Sequence, residues 1–102
     1  MTSFGLLVVD VPEDRFRGRE APDYLQELDS IPARELVLEF RRMEDELLPR
    51  VAAFVKYLGV KRSVHVCGLA ANQIDRLQLM GVDGALLLPG RWPGAQRATL
   101  HR

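Results

Sequence analysis

Gly5-Leu6-Leu7-Val8-Val9-Asp10-Val11 is a nearly unbroken apolar run that stops at Pro12. A strand with one wet face alternates polar and apolar residues. A run without that alternation reads as a strand buried on both faces, which a parallel or mixed central sheet requires. Parallel neighbours need crossover connections, so the chain downstream should alternate helix and strand.

The downstream sequence has that rhythm. Glu13 to Glu20 is charged, contains Gly18 and reads as a loop. Ala21-Pro22 opens a helix, because proline is tolerated in a first turn. Leu25, Leu28 and Ile31 form its apolar stripe, and Pro32 stops it. Glu35 to Phe40 reads as the second strand, followed by the charged connection Arg41 to Glu46. Pro49 starts the next helix, where Val51, Phe54, Val55 and Leu58 recur at helical spacing and Gly59 ends it. Ser63 to Cys67 is the third strand. Asn72 reads as an N-cap with Asp75 three residues on, and Ile74, Leu77 and Leu79 or Met80 form the apolar face up to Gly81. Ala85 to Leu88 is the fourth strand. The order β-α-β-α-β-α-β predicts a single small α/β domain. Its sheet has about four mostly parallel or mixed strands, with three main helices on right-handed crossovers. Residues 1–90 form this domain, and residues 91–102 form a basic tail carrying Trp92, three arginines and His101.

Composition narrows the function classes. Lys+Arg 14 against Asp+Glu 14 gives zero net charge, which argues against a nucleic-acid partner. At 47% hydrophobic and 27% charged the chain has the makings of one folded core. Its apolar runs fall short of the ~20 residues of a membrane span. Met1-Thr2-Ser3 lacks the basic and apolar regions of a leader, so the expected location is the cytoplasm. One cysteine forms neither an internal disulfide nor a cysteine metal cluster. His65 and His101 have no ligand spacing around them, and no metal or cofactor is expected.

Each candidate site residue has a plain structural reading beside the chemical one. Cys67 follows His65 by two residues on one strand, but a buried free cysteine behaves as a small hydrophobe. Gly68-Leu69-Ala70-Ala71-Asn72 joins strand to helix where α/β proteins hold ligands, yet it is neither GxGxxG nor a P-loop. Asp10 is either a carboxylate working at a strand end or a solvent-facing residue beside Pro12. Glu44-Asp45-Glu46 either favours the following helix through its dipole or forms a recognition surface. Trp92 has a large area to bury, on the domain or on a partner. No catalytic set emerges.

The order of elements and several segments resemble the STAS domain family of anti-sigma-factor antagonists. Leu7 to Pro12 with Arg15-Phe16-Arg17-Gly18 looks like its second strand and following loop. Arg34 to Phe40 looks like its central strand. Val51-Ala52-Ala53-Phe54 with Leu58-Gly59 looks like the helix after its switch loop, and Val64 to Leu69 with Arg76 to Asp83 like the third strand and next helix end. The resemblance implies a non-catalytic regulatory adaptor. Its docking face would comprise Glu44, Asp45, Glu46, Leu48, Arg50, Val51, Phe54 and Trp92, and its partner would be a kinase, an ATPase or another STAS-type subunit. The family's phosphate-accepting hydroxyl is missing, since the matching positions are Leu47-Leu48-Pro49-Arg50-Val51. The acids at 44–46 would stand in for that charge. The family's first strand is short or absent here, which leaves an open sheet edge for a homo-oligomer. Two other readings stand beside this one. One is a small-molecule or nucleotide-binding module using the strand ends near Asp10, Glu44 and Gly68. The other is a degenerate cysteine hydrolase. Val8-Val9-Asp10-Val11 and Val66-Cys67-Gly68-Leu69-Ala70 resemble the isochorismatase type, but Ala71 to Asp75 lacks that family's nucleophilic cysteine.

Overall fold

A computed structural model describes residues 4–91 and 97–98. Strand β1 (Phe4–Val11) leads into helices α1 (Glu13–Arg17) and α2 (Ala21–Asp29). Strand β2 (Ala33–Phe40) is followed by a 3-10 turn at Asp45–Leu47 and helix α3 (Leu48–Leu58). Then come β3 (Ser63–Cys67), α4 (Ala71–Leu79), a 3-10 turn at Gly84–Leu86, β4 (Leu87–Leu88) and β5 (Arg97–Ala98). The strands form one sheet in the order β4-β3-β2-β1-β5, and every pairing is parallel. This is the small α/β domain expected, with the parallel form of the parallel or mixed sheet and a fifth strand beyond the four anticipated.

The chain moves from β1 to β4 in one direction across the sheet. Right-handed crossovers therefore lay all four helices on one face. Leu7, Val9 and Val11 of β1, Leu36, Leu38 and Phe40 of β2, and Val64 and Val66 of β3 meet them there. The opposite face carries a smaller cluster of Val8, Val37 and Cys67, flanked by Leu6 and Leu88. One run thus feeds both sides of the sheet, and this is why it does not alternate.

Three elements differ from expectation for local reasons. Glu13 to Glu20, expected as a loop, begins with α1. Phe16 is fully buried there, edge-on to Phe40 at 5.6 Å and 4.5 Å from Phe54, and Glu13 pairs with Arg17 one turn later. A long-range aromatic contact decides a helix that local charge does not advertise. Ala85 to Leu88 yields strand only at Leu87–Leu88, because Asp83 accepts a hydrogen bond from the Ala85 N–H (3.0 Å) and closes a 3-10 turn first. The outer edge of β1, expected open, pairs with β5 through Val8↔Arg97 and Val9↔Ala98. Part of the expected tail is therefore a strand. Trp92 and the remaining tail residues lie outside the described residues.

Arginines fasten the helices to one another. Arg15 reaches Glu27 with two hydrogen bonds (2.7 and 3.2 Å) and lies over the Tyr24 ring at 4.9 Å, joining α1 to α2. Burial pushes the Tyr24 hydroxyl well above its ordinary pKa. Arg62, ahead of β3, donates to the carbonyls of Leu28, Asp29 and Ile31 and to the Asp29 carboxylate (2.8–3.3 Å). It caps the C-terminus of α2, where a cation is favoured.

Candidate functional site

All strands run parallel, so their carboxyl ends share one edge of the domain, where α/β folds hold ligands. A row of side chains crosses the sheet just inside that edge. Asp10, Glu39, Cys67 and Leu88 are direct register partners on β1, β2, β3 and β4. Glu39 is only 1% exposed. Its carboxylate accepts from the Cys67 thiol (Sγ to Oε2, 3.8 Å) and from Arg91 (3.4 Å). Asp10, His65 and Cys67 also have interaction partners of their own. The row therefore joins Asp10 and Cys67, which the sequence singles out, through Glu39, which it does not. An acid inside an apolar strand, at the register of Asp10, was the available signal. It went unread because register is unknown until the strands pair.

Two hollows open above this row. One, of about 320 Å³, is lined by Asp10, Val11, Pro12, Glu13, Arg41 and Arg42. The other, of about 310 Å³, is lined by Phe40, Arg41, Gly68, Gly90 and Arg91. Gly68 has φ +89°, and a Cβ there would stand 1.8 Å from the Phe40 carbonyl oxygen. Only glycine lets the end of β3 come this close to β2. Its N–H donates to the Gly90 carbonyl (2.8 Å), which draws the residues after β4 over the same edge.

The charges here divide into engaged and available. Glu13 is held by Arg17, and Glu39 by Arg91 and Cys67. Arg41 and Arg42 are exposed and make no hydrogen bond or ion pair with the described residues. Guanidinium groups are planar forks suited to carboxylate and phosphate oxygens. The edge therefore presents two uncommitted cations and a third, Arg91, that is 66% exposed.

The docking residues expected from the sequence are distributed differently. Leu48, Val51 and Phe54 are buried residues of α3, and of the three only Phe54, with Arg50, lines a hollow, one of about 460 Å³ between α2 and α3. A helix placed on the sheet turns its apolar stripe inward, and the stripe read as a docking surface is that one. Arg50 donates to the carbonyls of Phe16 (3.0 Å), Arg17 and Gly18 and caps α1. Glu44 pairs with Arg17 (2.6 Å), and Asp45 accepts from Gln73 (3.0 Å) and pairs with Arg76 (3.4 Å). Glu46 hydrogen-bonds Glu44. That contact raises the Glu46 carboxyl above its ordinary range and, with help from Arg17, lowers that of Glu44. Asn72, expected as an N-cap, is exposed within α4. The buried Gln73 accepts from the Ala70 N–H (3.2 Å) and donates to the Met43 carbonyl (2.7 Å).

Among the described residues, no group of three or more His, Cys, Asp or Glu side chains could hold a metal ion, and no helix is long and apolar enough to cross a membrane. Comparison of the chain with protein-family models, curated proteins and solved structures finds no match.

Proposed function

We propose that this domain binds a small organic anion at the carboxyl ends of its strands, without performing chemistry on it. The observation that carries the reading is the pair Arg41 and Arg42, exposed in a cleft and without a partner among the described residues. A surface arginine with no partner is common. Two in sequence, at the strand ends of a parallel sheet and beside a third across β2, fit an anion better than they fit plain solvation. The two segments that resemble isochorismatase-type hydrolases, Val8 to Val11 and Val66 to Ala70, both end at this edge. The cysteine that family would use is missing from 71–75, which supports binding over hydrolysis. A cytoplasmic setting accords with a single, buried, unbridged cysteine.

The regulatory-adaptor reading draws less support. Leu48 and Val51 are interior, Arg50 is bound to α1, and of these residues only Arg50 and Phe54 line a hollow. Of the acidic stretch, Glu46 keeps the least committed carboxylate.

Thermal unfolding with a panel of small carboxylates and phosphates tests the proposal. A binding anion should raise the melting temperature in proportion to RT ln(1 + [L]/Kd), and the double variant Arg41→Ala, Arg42→Ala should remove the rise. No rise with any anion, or a rise that survives the double variant, overturns it.

A further inference from the structure

We infer that the ligand carries two anionic groups, as a small dicarboxylate or bisphosphate lying across the end of β2 with Arg41 between them. The inference rests on the binding reading above and adds the ligand's class. Arg41 lines both hollows. Arg42 lines only the one between β1 and β2, and Arg91 only the one toward β3. A single small body over the β2 end therefore meets one arginine at each extremity and one in the middle. The hollow toward β3 has no acidic side chain in its lining, and Gly68 and Gly90 leave its floor as bare backbone. The three acids nearby are each engaged, and an anion would share Arg91 with Glu39. Glu13 is tied to Arg17, Glu39 to Arg91 and Cys67, and Asp10 has a partner of its own. Each hollow is near the lower limit for a small-molecule site, about 300 Å³, so two charged groups joined by a short link suit them better than one bulky ring.

Titration calorimetry on the full chain separates the possibilities. The probes are acetate and methyl phosphate, each with one anionic group, against succinate, glutarate, adipate and a propanediol bisphosphate. At least one two-group probe should bind about tenfold or more tightly than its one-group counterpart, a gain of the size a second arginine contact provides. Arg91→Ala should abolish that advantage while acetate or methyl phosphate still binds. The tighter arm then tells carboxylate from phosphoryl. Equal affinity for one- and two-group probes overturns the two-group ligand while leaving anion binding in place, as does an Arg91→Ala variant that weakens both alike. Failure of every probe to bind overturns the binding reading and the two-group ligand together.

Discussion

Arg62 and the Arg41–Arg42 pair stand at opposite ends of the same sheet and use one chemistry in opposite ways. Arg62 sits before β3 with its side chain 6% exposed and its two terminal nitrogens directed at the carbonyls of Leu28, Asp29 and Ile31 and the Asp29 carboxylate, at the end of α2. Arg41 and Arg42 follow β2, exposed above a cleft and without such acceptors. The amino-terminal end of the sheet is closed by its arginine, and the carboxyl end is left open by its own. The identity of a charged residue therefore says little about its role until its acceptors are counted. A guanidinium whose two terminal nitrogens are engaged holds the fold together, and one without acceptors is available to something else.

The largest expected effect probes how tightly the open end is built. Gly68→Ala places a methyl group against the Phe40 carbonyl at a positive φ, and should destabilise the domain by more than about 3 kcal/mol in denaturant unfolding. Near-wild-type stability would mean that the strand ends are looser than this geometry requires. Next is Arg62→Ala, which strips the α2 carbonyls and Asp29 of a buried partner. A loss of about 2–4 kcal/mol is expected from the same measurement. Arg41→Ala with Arg42→Ala should change stability by less than about 0.5 kcal/mol while abolishing anion binding. A larger loss of stability would erase the contrast with Arg62.

The smallest effect lies in the Glu44–Glu46 pair and is one of pH. Glu46 titrates above its ordinary range because it shares a hydrogen bond with Glu44, so its contribution is full at low pH and fades as pH rises through its raised value. Glu44 is lowered by Glu46 and then by Arg17, so its contribution is full at higher pH and is lost as pH falls through its lowered value. Glu46→Gln should remove the first slope and leave part of the second, seen as a flatter stability profile above the ordinary carboxylate range. An unchanged profile would mean that the two carboxyls do not share a proton.

Much of the architecture was legible from periodicity. The Val8–Val9 run, the α3 stripe and the Gly59 and Gly81 stops each carry their own local signal. What stayed hidden depends on distant partners. Phe16 makes α1 a helix only because Phe40 and Phe54 are there to meet it. The same limit governed the site. Leu48, Val51 and Phe54 were placed on a docking face by the STAS resemblance alone, and an apolar helical stripe does not reveal which side the sheet lies on. Arg41 and Arg42 looked like an ordinary charged connection until β1, β3 and the Gly90 turn closed around them.

The pairing of β5 with β1 has a consequence for the order in which the molecule is made. Val8 and Val9 leave the ribosome roughly ninety residues ahead of their outer neighbours, Arg97 and Ala98. Until then the β1 edge offers bare N–H and C=O groups beside an apolar run, the template on which strands of other chains pair. That edge is thus exposed during synthesis, and the two-residue strand that ends the interval covers Val8 and Val9 only once it has been made.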